Sequence, residues 1–390
     1  MTLAWETRTR LDWPHIVVAL LVIYLLTDLV FPRLLSAFVA AYVVQPMIWA
    51  SLAYLIWQLP RYRPKLKVRF HRSLAVLALA VGLFQVFLLV VGGVVSGFGR
   101  SPYSFSPQGI LINLVFVGTA LLGLELSRAW LVNRLAPRGG ALTLGLLALL
   151  FTLILTPMTK LMGFSGGQEA ARYLSSTPLP LLSENLLACF LAFLGGPLPA
   201  LAYRGILQAF WWFCPILPDL TWSLKALLGT AAPVIGFVIV QTAYPLWSKG
   251  PTRARRMADR GLVGWIIGSI IGVALIWFSL GLFDFYPTVV YSGSMRPTID
   301  VGDVVIAVKV PASKVSEGDI IEFREGNITV IHRVTEVHQT KEARLLVTKG
   351  DANKEPDSEP VFPGQVRGKV LFRVPKLGWA SIAVKQLLSR

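Results

Sequence analysis

The chain has 390 residues, 54% of them hydrophobic and 15% charged, a balance that excludes an ordinary soluble domain and puts most of the polypeptide in lipid. Its formal net charge of +16 would suit a nucleic-acid-binding protein, but residues 284–376 carry 13 Lys/Arg against 13 Asp/Glu. The surplus sits instead in the apolar part and the tail, in short loops such as Arg61, Arg63, Lys65, Lys67, Arg69 and Arg72, or Lys249, Arg253, Arg255, Arg256 and Arg260. That is a positive-inside pattern, and no nucleic acid is expected as a partner.

In chain order, apolar stretches near the roughly 20 residues that cross a bilayer are predicted at residues 15–31, 34–58, 74–97, 109–127, 139–159, 222–247 and 262–283. Residues 180–217 are too many for one helix and are interrupted by Gly195-Gly196-Pro197-Leu198-Pro199, which breaks helical hydrogen bonding. If both basic loops face the cytoplasm, an even number of spans separates them, and two passes within 180–217 provide it. About nine spans are therefore expected, with Arg8 and Arg10 inside before a retained signal anchor. Arg128, Arg134 and Arg138 are expected in a further cytoplasmic loop, and the chain beyond Phe283 outside. Cys189 and Cys214 both lie in apolar segments and make neither a disulfide framework nor a CxxC metal site.

Beyond Asp284 the pattern changes to short β-like runs at 303–310, 319–323, 328–337, 344–349 and 366–374, separated by turns such as Glu325-Gly326-Asn327. The expected fold is an α-helical polytopic membrane bundle followed by a small, mostly β domain. The expected boundaries are a multi-span domain at 1–261, a tethering span at 262–283, an extracytoplasmic β-rich domain at 284–376 and a short amphipathic segment at 377–390.

The β-rich part holds the chemistry. Ser292-Gly293-Ser294-Met295-Arg296-Pro297-Thr298 offers a hydroxyl nucleophile just beyond the last span, and a serine needs a neighbouring base that a third group orients. Two histidines follow. His332 shares a strand face with Val330 and Val334, so it either completes a hydrogen bond in the core or acts as a base; His338 reads as a solvated turn residue. Lys309 and Lys349 are weaker candidate bases. Asp351 and Asp357, six residues apart in a turn-rich loop, are the candidate acids, and spacing does not choose between them.

These residues resemble the type I signal peptidases. The resemblance rests on Ser292-Gly293-Ser294-Met295-x-Pro297-Thr298, Gly302-Asp303-Val304-Val305, Gly318-Asp319-Ile320-Ile321, Ile331-His332-Arg333-Val334 and Lys349-Gly350-Asp351, in that order. The bacterial branch has a lysine where this chain has His332, so the resemblance is to the endoplasmic-reticulum and archaeal, serine-histidine type. It implies Ser294 as nucleophile, His332 as general base, Asp357 as the orienting acid and Asp351 as a second, supporting acid. Ser292 matches a position associated with the oxyanion site, for which the Ser294 backbone amide is the other donor. It further implies removal of signal peptides from exported preproteins with small residues at the first and third positions before the cut, and no metal or organic cofactor. A substrate strand is expected to pair beside residues 288–291. The implied partners are preproteins, the lipid bilayer and the secretion translocon. The implied place is the cell membrane, multi-pass with the catalytic domain on the extracytoplasmic side, or the endoplasmic-reticulum membrane in a eukaryote.

The large N-terminal bundle departs from that family. Asp28, Gln45, Gln85, Glu125, Lys160, Glu184 and Arg204 lie in or beside its apolar stretches, where polar groups mark either function or snorkelling span ends. Ala202-Tyr203-Arg204-Gly205-Ile206-Leu207-Gln208 is faintly similar to the glutamate-type intramembrane CAAX-processing proteases. Pro199 and Ala200 stand in the region of the expected paired glutamates and no histidine follows in the bundle, so no second active site is expected. The alternative reading of the whole chain is a transporter or translocation-partner bundle carrying a degenerate, non-catalytic peptidase-like module.

Overall fold

A computed structural model describes residues 12–162, 167–249, 267–268, 270–275, 278, 284–326, 328–339 and 344–379. The chain divides into two compact units, Met1–Val273 and Ala274–Arg390. Of the expected span at 262–283 only 267–268, 270–275 and 278 are described, and of the expected segment at 377–390 only 377–379.

The first unit is helical. Its longer helices are α1 (Trp13–Leu25), α2 (Gln45–Gln58), α3 (His71–Ser96), α4 (Pro107–Ile154), α5 (Pro178–Gly195), α6 (Pro197–Phe213) and α7 (Trp222–Lys249). Six helices among the described residues are long and apolar enough to cross a membrane: Trp13–Leu34, Ala37–Gln58, His71–Ser96, Pro107–Pro137, Glu169–Gly195 and Trp222–Tyr244. Two further arms are shorter, the apolar Gly139–Ile154 and the 17-residue α6.

Both shorter arms arise from glycine breaks. At Gly140 the backbone turns to φ 57°, ψ −138°. The two parts of α4 then lie against each other, with the Arg128 guanidinium 4.1 Å from the Phe151 ring centroid. At Gly196 φ is 75°, a conformation that glycine adopts without strain, and α6 starts immediately on Pro197. Arg204 of α6 then reaches back to Glu184 of α5. A two-stranded ladder, β1 (Phe98–Arg100) with β2 (Ile216–Pro218), ties the segment after α3 to the segment after α6.

The polar residues of the bundle gather rather than scatter. Arg128 donates from Nε and Nη2 to the Glu125 carboxylate at 2.8 and 3.2 Å, and from Nη2 to Asn185 Oδ1 at 2.8 Å. Arg204 donates to Glu184, which also accepts from Gln85 Nε2 at 2.8 Å; Tyr203 Oη donates to Gln85 Oε1 at 2.7 Å. The expectation that Arg128 lies in a cytoplasmic loop is therefore wrong. It sits inside α4 at 0% exposure, because Glu125 one turn earlier neutralises it and lets the helix continue. Asp28, away from this cluster, accepts from the Met158 backbone N–H at 2.6 Å and so caps the short Met158–Met162 helix.

The second unit is an antiparallel sheet in the order β3-β4-β8-β5-β6-β7, with β3 (Phe285–Val289), β4 (Val304–Val308), β5 (Ile320–Glu325), β6 (Ile328–Gln339), β7 (Arg344–Lys349) and β8 (Val366–Val374). Strand β3 is not among the predicted runs, because Pro287 in a five-residue segment weakens the signal; it forms at the sheet edge, where proline is tolerated. One core packs Val315, Ile321, Phe323, Val334, Leu346 and Val361, and a second packs Val290, Met295, Ile299 and Val305.

Glu322 of β5 is 1% exposed, and its carboxylate accepts from Thr288 Oγ1 at 2.7 Å. Burial raises its pKa above the ordinary glutamate value, against the lowering effect of the Thr288 bond. A raised folded pKa gives stability that is complete below the unfolded pKa and is lost as pH rises through the folded one. Glu322→Gln is accordingly expected to raise the unfolding temperature of the β unit in the full-length chain at pH 7, with the gain vanishing below about pH 4. Thermal scans at the two pH values check this, and an unchanged or lowered midpoint at pH 7 contradicts it.

Candidate active site

Two connections and one strand of the β unit converge on Ser294. The hydroxyl stands in the turn-rich segment between β3 and β4, held by its neighbour: Met295 is 1% exposed and packs with Val290, Ile299 and Val305. Backbone N–H groups of Arg296 and Ile299 donate to the carbonyls of Gly293 and Met295 at 3.1 and 2.9 Å and close the turn. An apolar anchor next to a half-buried serine fixes where the hydroxyl points.

His332 lies opposite Ile321 in the β5–β6 ladder and is buried at 8% exposure, on the strand face shared with Val330 and Val334. The Phe323 ring meets the imidazole edge-on at 6.2 Å between centroids. Its Nε2 is 3.1 Å from Ser294 Oγ and its Nδ1 is 2.6 Å from Asp357 Oδ2. An ionised carboxylate only accepts, so Nδ1 carries the proton and the Nε2 lone pair faces the serine hydroxyl. That tautomer is the one a general base requires.

Asp357 belongs to the β7–β8 connection and is itself positioned by Thr348 of β7. Its backbone N–H donates to the Thr348 carbonyl at 2.8 Å, and the Thr348 hydroxyl donates to Oδ2 at 2.7 Å. Thr348 is fully buried. Asp351, the other candidate acid, points elsewhere. Arg333 donates to both its oxygens, from Nε at 2.9 Å and Nη2 at 2.7 Å, and from Nη1 to the Gly318 carbonyl at 2.9 Å. The Arg333 guanidinium holds the Asp351 carboxyl below the ordinary aspartate value despite opposing desolvation.

Ser292 Oγ lies 3.3 Å from Ser294 Oγ. His338, expected in a turn, instead lies near the end of β6; it is exposed and bonded to Glu336 at 3.0 Å, away from the serine. The sequence reading missed Thr348 and the clamp made by Arg333. Both become legible only with the β6–β7 register, which pairs Arg333 with Lys349 and Val334 with Thr348.

The family model for signal peptidase, peptidase S26, matches residues 262–342. The catalytic subunit SEC11 of the signal peptidase complex from Scheffersomyces stipitis is 32% identical over 124 residues, 29% of this chain and 75% of that subunit. The chain belongs to the signal peptidase family. The corresponding subunit of Schizophyllum commune is 30% identical over 138 residues, 28% of this chain and 72% of that one. Signal peptidase I W of Bacillus subtilis is 34% identical over 89 residues, 22% of this chain and 47% of that enzyme. As a signal peptidase of the endoplasmic-reticulum and archaeal type, the protein is a hydrolase. The matched stretch includes Ser294 and His332 and ends before Asp351 and Asp357.

The loop carrying the two acids is joined to the serine by its backbone. The Ala352 N–H donates to the Ser294 carbonyl at 2.8 Å, and a Cβ added at Gly350 would stand 2.7 Å from that same carbonyl oxygen. The Asn353 side chain, also within 3.0 Å of that Cβ, can move aside, but the Ser294 carbonyl is backbone and yields only if the serine segment shifts. Gly350→Ala is thus expected to lower the turnover of this signal peptidase about 10- to 100-fold by displacing Ser294, measured as kcat on a preprotein. Unchanged turnover in a folded variant would show that the loop does not set the position of the serine.

Proposed function

We propose that the β unit removes signal peptides through a Ser294–His332–Asp357 relay. The observation that carries this reading is the continuous hydrogen-bonded sequence Ser294 Oγ, His332 Nε2, His332 Nδ1 and Asp357 Oδ2, at 3.1 and 2.6 Å. His332 takes the hydroxyl proton as Ser294 Oγ forms a bond to the scissile carbonyl carbon. The proton then passes to the leaving amine as the C–N bond breaks and leaves an acyl-enzyme. Water, deprotonated by His332, attacks the ester and releases the mature protein's partner fragment, with the proton returned to Ser294 Oγ. Asp357 keeps the imidazole in the working tautomer and stabilises its cation. The Ser294 backbone N–H and the Ser292 hydroxyl are the donors for the developing oxyanion. Asp351 supports the site through Arg333 without touching the histidine.

A preprotein segment with small residues at the first and third positions before the cut would add as a strand along β3, the sheet edge beside the serine loop. The chain crosses the membrane nine times in this reading, eight times in the bundle and once over 262–283. The fold-backs at Gly140 and Gly196 support two short hairpins. Arg134 bonded to Asp12, and Lys65 over the Tyr244 ring, support a single basic face that collects the N-terminus, the first basic loop and the end of α7. A last outward pass over 262–283 then carries the catalytic unit to the extracytoplasmic side, where the translocon delivers preproteins and the bundle helps to position them.

Ser294→Ala and His332→Ala are each expected to lower cleavage of a preprotein ending in a small-x-small motif by about 10⁴-fold or more. Asp357→Asn should cost about 10²- to 10⁴-fold, while His338→Ala retains most activity. Full cleavage by the first two variants would sink the mechanism. Loss at Asp351→Asn equal to that at Asp357→Asn, at unchanged stability, would reverse the roles of the two acids.

Topology has its own test. In a chain whose Cys189 and Cys214 are replaced, a cysteine introduced at Glu325 is expected to react with an impermeant thiol reagent added outside intact cells. Labelling only after lysis would place the β unit on the other side.

A further inference from the structure

The first unit holds a cavity of about 470 Å³ that the peptidase chemistry does not use. It opens where α2 ends, α3 begins and the α5–α6 break turns, with the Leu126–Asn133 part of α4 as its inner wall. Arg61, Arg63 and His71 line it, and no aspartate or glutamate does. Among the described residues neither arginine enters an ion pair; Arg61 instead stacks over Trp57, 4.4 Å from the ring centroid. His71 Nε2 donates to the Leu66 carbonyl at 3.0 Å, which fixes the ring at the cavity wall. The positive end of α6 also meets this space, and its N-cap Gly196 has no side chain to occupy it.

Apart from Asn133 and Tyr62 the remaining wall is apolar and includes Trp130, while Trp57 is 59% exposed at the end of an apolar helix. Tryptophan at such a helix end is typical of the boundary between hydrocarbon and headgroups. Two guanidiniums without an acidic partner among the described residues, beside a largely apolar, tryptophan-rimmed hollow at that depth, match a phosphate that carries hydrocarbon chains, and basic pockets between membrane helices bind such headgroups. We propose that this cavity is a binding site for the phosphate headgroup of an anionic phospholipid, whose chains run down the α2 face. The occupant seals the break between α5 and α6 on the basic face of the bundle. The proposal rests on the bundle lying in the membrane as described above, which the labelling experiment tests separately.

The test uses the full-length protein in detergent, offered phosphatidylglycerol or phosphatidylcholine and read by native mass spectrometry. The expected result is about tenfold or greater preferential retention of phosphatidylglycerol. Arg61→Gln with Arg63→Gln should abolish the preference; Arg61→Lys with Arg63→Lys should keep most of it, and Arg324→Gln on the β unit should leave it intact. Excess inorganic phosphate should displace little of the lipid. Equal retention of both lipids, or an unaffected glutamine double variant, overturns the proposal, and full displacement by phosphate makes this a site for the free anion instead. Should the glutamine variant not fold, hydrogen exchange of the wild type decides. Residues 59–71 and 195–198 should exchange more slowly in phosphatidylglycerol vesicles than in phosphatidylcholine, and identical exchange overturns the proposal.

Discussion

The 2.6 Å contact between Asp357 and His332 Nδ1 fixes the imidazole with Nε2 toward Ser294, and the arrangement of the site depends on it. That carboxylate comes from a long connection, and a connection alone would not hold it. Two bonds to Thr348, one through the backbone and one through the hydroxyl, attach it to β7. Strand β7 in turn pairs with β6, which carries His332. His332 on β6 and the loop carrying Asp357, anchored to β7, are thus tied to neighbouring strands, while Ser294 is fixed separately by the burial of Met295.

In the helical unit the governing constraint is charge. An unpaired arginine in the interior of an apolar bundle is costly, and breaking a buried pair typically loses about 3–5 kcal/mol. Arg128 answers to Glu125 and Arg204 to Glu184, so the four charges cancel pairwise. Arg204 Nε also stands 4.0 Å from Glu125, which links the two pairs across α4, α5 and α6. Their geometry specifies which faces of these helices meet, something that apolar side chains alone specify weakly. Cys189, within 3.3 Å of Arg128 Nη1, belongs to the same buried cluster.

Periodicity and composition made the architecture legible because they reflect burial directly. The runs at 344–349 and 366–374 coincide with β7 and β8, and Gly195-Gly196-Pro197 announces the break between α5 and α6. Arg128 misled because a charge in an apolar run reads as a loop, and its compensation by Glu125 depends on a helical turn continuing through both. The choice between Asp351 and Asp357 was illegible for a different reason. Two acids six residues apart in a loop differ only in which strand each one meets, and that depends on the β6–β7 pairing and its bulge between Val334 and Glu336. The β3 edge was hidden by Pro287, a residue that argues against a central strand and is neutral at an edge.

The division of labour between the two acids follows from what each could do in the other's place. Asp351 has both oxygens committed to Arg333, so turning one toward His332 would leave a guanidinium half-paired and would loosen its third bond, to the Gly318 carbonyl. Asp357 has no cation beside it in the hydrogen-bond pattern, only a hydroxyl donor, and so keeps acceptor capacity for an imidazole N–H. The same loop reaches Ser294 through the Ala352 N–H. One loop therefore holds the Ser294 carbonyl and the His332 ring at once, and the Arg333–Asp351 clamp ties that loop to β6.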